Sequence, residues 1–257
     1  MRKIKAGIIL LAAIIFFSLI SADFSLPVES ALSLARPSAE HLFGCDSLGR
    51  DLLKRISSGV LVSLAISSAT VVISISAGLL LSFFMSEKRV SALSFTISDS
   101  LKLLPSVPLA LFISSVAGPG AGKVVAAMAL TMTPVVARSA YSKIAVLKKE
   151  RFALSSYNMG KTRGYVFFSH ILPHLVPYLR EQGVSLFLSA LLMESSLSFL
   201  GAGLSPETPS LGRIVAEARA YMLTDPFFLA IPSIVLFLLG LALVLIVSGL
   251  SELDSAS

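Results

Sequence analysis

Long apolar runs alternate with short polar segments along the whole chain. Six of these runs are long enough and poor enough in charge to cross a membrane: Ala6–Ala22, Val60–Phe84, Leu101–Ala117, Val124–Leu147, Gly183–Leu204 and Phe227–Leu250. None alternates apolar and polar residues in the way that a membrane β-barrel requires. Because backbone hydrogen bonds in lipid must be satisfied within each segment, the pattern predicts an all-α integral membrane protein with six transmembrane helices.

The spans divide the chain into regions of one transmembrane domain, 1–257. We expect a cytoplasmic start at 1–5, the first span at 6–22 and an extracytoplasmic segment at 23–59. A five-helix core at 60–250 contains a polar loop at 148–181, and 251–257 form a cytoplasmic tail. The first span follows a basic start and is therefore weighed against a signal peptide. Its poor cleavage site, Ile20-Ser21-Ala22, favours an uncleaved anchor.

Composition supports the membrane assignment. The chain is 55% hydrophobic and 14% charged, with a mean hydropathy of +0.86, whereas soluble domains are about 25% charged. The net charge of +6 reflects basic residues clustered in particular loops, so it indicates orientation in the bilayer and not nucleic-acid binding. The N-terminus and the loop 148–181 are basic, while 23–55 and 205–226 are close to neutral. By the positive-inside rule, both termini are predicted to be cytoplasmic.

The basic loop has the pattern of a short helical hairpin. Glu150–Met159 is predicted to form one helix, Gly160 to turn the chain, and Tyr165–Ile171 to form a second helix that stops at Pro173. Leu154, Tyr157 and Met159 then offer apolar anchors beside basic side chains, the combination that helix-in-groove docking uses. The alternative is an amphipathic helix that lies on anionic lipid.

Glu194 is the one acidic residue near the middle of a predicted span. A carboxylate at that depth is costly unless it is hydrated or paired, so we expect it to face the bundle interior or a water-filled cavity. It lies either on a translocation path together with Ser198, or in a structural contact with serines such as Ser195 and Ser198. Small residues repeating in the second run, Ser74, Gly78 and Ser82, leave the same choice open between helix packing and a polar path.

No catalytic, metal or cofactor site is predicted in this chain. Cys45 is the single cysteine, so an intrachain disulfide and a zinc cluster are excluded. The glycine-rich stretch Gly118–Lys123 lacks the spacing of a phosphate-binding loop and is interpreted as a turn.

Three stretches of the sequence, in order, resemble one family. These are His41-Leu42-Phe43-Gly44-Cys45-Asp46-Ser47-Leu48-Gly49-Arg50-Asp51, the segment from Gly160 to Ile171-Leu172-Pro173, and Glu194-Ser195-Ser196-Leu197-Ser198-Phe199-Leu200-Gly201-Ala202-Gly203 followed by Pro206, Thr208-Pro209 and Gly212. The chain is similar in these to permease subunits of ATP-binding-cassette (ABC) importers, specifically the C-type subunit of the oligopeptide, dipeptide and nickel branch. It departs from that pattern where Leu154-Ser155-Ser156 replaces an E-A-A triplet and where Cys45 replaces a common threonine.

The resemblance implies a type I ABC-importer bundle in the bacterial inner membrane. It implies a homologous second permease chain, two ATPase subunits that hold ATP and Mg²⁺, and an extracytoplasmic substrate-binding protein, with peptides, nickel or a metal chelate as cargo. It places the ATPase contact on the coupling loop, at Leu154, Ser155, Ser156, Tyr157, Met159, Gly160, Ile171, Leu172 and Pro173.

The competing class is an ion-coupled secondary transporter or channel, which would show an inverted repeat, and we find no convincing one. A membrane-embedded enzyme would need a nucleophile and base, or a metal cluster, within the spans, and the sequence of the predicted spans contains none.

Overall fold

The computed structural model describes residues 1–25, 28–85, 105–205 and 207–254. Regular structure in these residues is helical, apart from an isolated antiparallel bridge between Cys45 and Asp51. The helices are α1 (Arg2–Ser21), α2 (Leu52–Met85), α3 (Ser106–Ala117), α4 (Ala121–Leu147), α5 (Arg151–Asn158), α6 (Arg163–Val166), α7 (Leu172–Phe199), α8 (Leu211–Ala218) and α9 (Pro226–Asp254). The all-α prediction is confirmed for this part of the chain.

Four of these helices are long and apolar enough to cross a membrane: α1, α2, α4 and α9. Of the two other predicted spans, α3 is a shorter apolar helix of 12 residues, and α7 carries Glu194 among several serines. The predicted start of the third span, at Leu101, falls outside the described residues, and the described helix begins after Pro105. The count of six spans therefore remains a prediction.

The long helices run back and forth between two ends of the bundle. At one end, here called the coupling end because it contains the predicted coupling loop, α4 leads into α5 and α6, and Lys3 pairs with Glu252 near the two termini. At the opposite end, here called the loop end, lie the segment before α2, the turn at Gly118 and α8. Gly118 and Gly120 both have positive φ, which confirms the turn, although helix α4 has already begun at Ala121.

Helix α2 is central because it packs against α4 and α7, and its contact face consists of small residues. Ser63, Ser67, Ser74 and Ser82 are fully buried within this one chain. A β-carbon on Gly78 would lie 2.6 Å from Val136 Cγ1 of α4, so the two helices are in closer contact than a larger residue allows. The small-residue pattern thus serves helix packing in this structure, as expected for helices that associate in lipid.

Among the described residues, three apolar clusters hold the helices together. One joins α2, α3, α4 and α7 around Ile66, Met128 and Leu197. A second, around Leu52, Leu211 and Leu239, joins the start of α2 to α7, α8 and α9 at the loop end. The third, around Ile144, Phe167 and Leu175, joins residues 150–171, here called the coupling segment, to the end of α4 and the start of α7.

Two helices have ends at the loop end that differ from the ends of the predicted spans. Helix α2 begins at Leu52, eight residues before the predicted Val60, because Leu52 and Ile56 are buried against α8 and because ion pairs accommodate the buried Arg55. Helix α7 ends at Phe199, short of the predicted Leu204, because Gly201 with φ of +82° turns the chain.

The prediction that a helix stops at Pro173 is wrong. The residues Phe167–Ile171 form a π-helical turn that continues directly into α7, with Pro173 in the first turn of that helix. A proline is tolerated there because the first-turn N–H groups of a helix need no intrahelical acceptor. The coupling segment is therefore connected to a long helix of the bundle without a break.

Candidate functional site

The coupling segment has the predicted helix–turn–helix form. Helix α5 (Arg151–Asn158) matches the predicted Glu150–Met159 to within one residue at each end. Gly160 then adopts φ of +75°, which L-residues with a side chain rarely adopt. Thr162 caps the next helix by accepting a hydrogen bond from the Tyr165 N–H, at 3.3 Å.

Aromatic and aliphatic contacts fix the segment to the bundle. The rings of Phe152 and His174 are stacked, with centroids 4.3 Å apart and planes 12° apart. Phe167 of the π turn packs against Phe83 at the end of α2, with ring centroids 4.8 Å apart. Because Phe152 is on α5 and His174 is on α7, the stack joins the short helix directly to a long one.

The predicted contact residues divide into an exposed set and a buried set. Leu154 is 49% exposed and Met159 is 73% exposed, and Ser155 and Gly160 are exposed beside them. Ile171 is fully buried, Ser156 is buried, and Tyr157 and Leu172 are partly buried against the bundle. Pro173 is exposed, on the first turn of α7.

Sequence reasoning missed Tyr165 as part of this exposed set. Tyr165 is 47% exposed, and Lys161 Nζ lies 5.0 Å from the centroid of its ring. The exposed apolar side chains and this cation–aromatic pair form the coupling surface, defined as Leu154, Ser155, Met159, Gly160, Lys161 and Tyr165.

Glu194 and Ser198, the predicted path residues, lie inside the subunit. Glu194 is fully buried on α7, and its Oε1 accepts a hydrogen bond from Ser198 Oγ at 2.8 Å. Hydroxyls of Ser63 on α2 and Ser210 before α8 surround the same carboxyl group. Its Oε2 has no hydrogen-bond partner among the described residues. In this conformation the carboxyl group belongs to a contact among three elements and is closed off from solvent by the described residues.

The glycines after Glu194 allow the chain to fold back onto α7. A β-carbon on Gly203 would lie 2.4 Å from Ser198 Oγ, and one on Gly212 would lie 2.1 Å from the carbonyl oxygen of Ser195. Helix α8 is therefore in direct backbone contact with α7. This contact explains why the third sequence block combines Glu194, its serines and these glycines.

A network of charged side chains at the loop end links the first sequence block to helix α8. Asp46 is fully buried, and its Oδ2 accepts from Arg50 Nε and Arg55 Nη1, each at 2.7 Å. Arg55 Nη2 lies 2.6 Å from Glu217 Oε2 on α8, and Arg213 Nε lies 3.0 Å from Glu217 Oε1. The sequence analysis counted these charges for topology but did not pair them, because Arg55 and its partner Glu217 are far apart along the chain.

The loop before α2 is fixed by its own backbone and side-chain bonds. Asp46 Oδ1 accepts from the N–H groups of Leu48 and Arg50, at 2.8 and 3.0 Å. His41 Nδ1 lies 2.8 Å from Asp51 Oδ2. Cys45 is buried in this loop, and burial, followed by the nearby carboxylates of Asp51 and Asp46, raises the pKa of its thiol.

Comparison with known proteins shows one family. Residues 52–253 match the family described as the binding-protein-dependent transport system inner membrane component. A dipeptide transport system permease protein of Alkalihalophilus pseudofirmus is 28% identical over 98% of this chain and 86% of its own length. A glutathione transport system permease protein of Escherichia coli O1:K1 is 34% identical over 84% of this chain and 72% of its own length. A putative peptide transport system permease protein of Brucella suis biovar 1 is 30% identical over 98% and 86%, respectively.

Proposed function

The chain belongs to the family of binding-protein-dependent transport system inner membrane components, and on that basis we propose that the importer it serves takes up peptides. The chain is a permease subunit of an ABC importer and not an enzyme. The relatives described above are named for dipeptides, glutathione and peptides. These names support a peptide cargo ahead of nickel or a metal chelate.

The proposed complex contains a second, homologous permease chain, two ATPase subunits and an extracytoplasmic substrate-binding protein. ATP and Mg²⁺ are held by the ATPase subunits, and this chain binds no cofactor. Both termini and the coupling surface face the cytoplasm, since exposed basic residues such as Lys149, Arg151 and Lys161 lie at that end. The predicted six spans cross the bacterial inner membrane, with α3 and α7 included.

The coupling surface is the observation that carries the proposed ATPase contact. Exposed Leu154 and Met159 lie on a short helix and turn, beside Lys161. Leaving such apolar area in water is unfavourable by about 25 cal/mol per Å², so a partner groove is the favourable place for it. The ATPase groove would push on α5, and the Phe152–His174 stack would pass that displacement to α7.

Displacement of α7 also gives Glu194 and Ser198 a role in the proposed transport cycle. Both residues are on α7, and the Glu194 carboxyl group is enclosed by hydroxyls from α2 and from the residue before α8. Separation of these elements would expose the carboxyl group to the space between the two permease chains. We therefore retain the two residues as candidates for the translocation path in an open state.

Cysteine cross-linking in the assembled importer tests the proposal. In a Cys45→Ser background, Leu154→Cys and Met159→Cys should each cross-link to an ATPase subunit, with yields that differ between ATP-bound and ATP-free states. Ile171→Cys is the matched control, because Ile171 belongs to the same segment but is fully buried. Cross-links from both exposed positions to lipid alone, or none at all, would contradict the ATPase contact at this surface.

A further inference from the structure

A cavity of about 500 Å³ lies at the loop end, and the coupling surface contributes none of the residues that line it. It lies between the end of α3, the turn at Gly118 and the chain that leaves α7. Its walls combine apolar side chains such as Leu111 and Leu200 with the hydroxyls of Ser114 and Ser115. Ser114 Oγ donates to the Ala202 carbonyl, which ties two of these walls together.

Arg213 brings positive charge to this cavity. Arg213 lines the cavity, and its Nε is paired with Glu217 Oε1 at 3.0 Å. The two Nη groups of Arg213 have no hydrogen bond or ion pair within the described part of the chain. Lys123 adds a second cation, because a β-carbon on Gly118 would lie 3.6 Å from its Nζ. Arg213 shares its charge with Glu217, which does not line the cavity, and the described residues that do line it include no carboxylate.

The charged network holds Arg213 in position. Glu217 uses one carboxylate oxygen for Arg213 and the other for Arg55, which is 2% exposed and is itself paired with Asp46. An arginine fixed through its Nε keeps its Nη groups directed and loses little side-chain entropy when it binds an anion. Asp46 of the first sequence block therefore helps, through Arg55 and Glu217, to orient a cation on α8.

We propose that this cavity binds the C-terminal carboxylate of a peptide in transit, with Arg213 as its primary ligand and Lys123 at its edge. The inference rests on the proposed peptide cargo. A guanidinium recognises a carboxylate by two parallel hydrogen bonds, and the volume lies within the range of about 300–1,000 Å³ typical of small-ligand sites. Hydroxyls and glycine backbone in the walls suit peptide groups better than a lipid phosphate, which needs only the cations.

The test compares uptake of one tripeptide with a free C-terminus and of the same tripeptide with a C-terminal amide. The assembled importer and its binding protein are reconstituted in proteoliposomes, and kcat/KM is measured for both peptides. Arg213→Gln should lower uptake of the free acid about tenfold or more relative to the amide. Every variant uses the same binding protein. The preference of that protein for the free acid or the amide therefore does not affect how the acid-to-amide ratio of kcat/KM compares between variants.

Three further variants complete the experiment. Arg213→Lys keeps the charge but loses the paired geometry, so it should shift the ratio by a smaller factor in the same direction. Lys123→Gln tests the second cation by a change outside the ion network. Arg219→Gln is the matched control, because Arg219 follows α8 closely yet stacks over Phe199 and does not line the cavity.

The outcomes separate the alternatives. An acid-to-amide ratio that stays at the wild-type value in both Arg213 variants and in Lys123→Gln would overturn the carboxylate site. A change in co-purified anionic lipid with an unchanged ratio would overturn it in favour of lipid phosphate. If the wild-type importer takes up neither peptide but transports another cargo, the proposed peptide cargo is contradicted. The carboxylate site, which rests on that cargo, is then contradicted as well.

Discussion

Arg55 and Asp46 form an ion pair in the interior of the loop end, with Arg55 Nη1 2.7 Å from Asp46 Oδ2 and both side chains almost fully buried. Arg55 is on the first turn of α2, and Asp46 is in the loop that precedes it. The other side of the same guanidinium binds Glu217 on α8. One arginine thus connects three segments and explains why a charged residue is tolerated at the buried start of a long apolar helix.

Removing this arginine should destabilise the subunit severely. Arg55→Met leaves Asp46 buried without one of its two cationic partners, and breaking a buried pair in this way costs about 3–5 kcal/mol. The measurement is the thermal transition of the detergent-solubilised importer. Lys3→Met is the control, since the Lys3–Glu252 pair is half exposed and such pairs contribute about 1 kcal/mol or less. Equal transition temperatures for the two variants would contradict the assigned network.

Gly212 should not tolerate even one added methyl group. In Gly212→Ala the new β-carbon would lie 2.1 Å from the Ser195 carbonyl oxygen, so α8 must move away from α7. Overpacking of this kind costs about 1–3 kcal/mol, and we expect less assembled importer in the membrane. Gly122→Ala, which meets nothing within 4 Å, should assemble normally. Normal assembly of both variants would show that the two helices are not in this contact.

Gly160 should be required for coupling and not for folding. A β-branched residue is strained at φ of +75°, yet no heavy atom lies within 4 Å of the position where its β-carbon would be. Gly160→Val is therefore expected to assemble but to hydrolyse ATP with little peptide uptake, and Gly160→Asn to retain more uptake because asparagine tolerates this φ. Gly164→Ala is the control, because Gly164 has open space and no positive φ. Full uptake by Gly160→Val would argue against a role for the turn.

The thiol of Cys45 should react slowly although its loop is extracytoplasmic in the proposed topology. Cys45 is 2% exposed, and its raised pKa keeps the thiol protonated to higher pH than an exposed cysteine, while only the thiolate reacts. We expect little labelling by a membrane-impermeant maleimide at pH 7 to 8 until the protein is denatured.

The matching positive control is Leu42→Cys in a Cys45→Ser background, since Leu42 is 61% exposed in the same loop. It should label rapidly in spheroplasts. Labelling of Leu42→Cys only after lysis would reverse the proposed orientation, and rapid labelling of native Cys45 would contradict its burial.

Local features of the coupling segment were predictable from the sequence because each depends on neighbouring residues. Gly160 is the residue that the left-handed turn requires, and Arg151–Asn158 form a helix by their own pattern. The continuation through Pro173 was not predictable, because it depends on a π turn whose Phe167 packs against Phe83 of a distant helix. The packing of the π turn against the bundle also buries Ile171. The family motif, in contrast, groups Ile171 with coupling residues that are exposed in this structure.

The sequence by itself determined the all-helical membrane class, the family blocks and the position of the coupling turn, because apolar length, glycine placement and motif spacing are properties of the chain as written. Only the tertiary structure decided where α2 begins, that Glu194 is enclosed by hydroxyls, and that Asp46, Arg55, Glu217 and Arg213 form one network. The physical reason is that the stability of a buried charge depends on its partners. Those partners come from segments more than 150 residues apart, brought together when α8 packs against the start of α2.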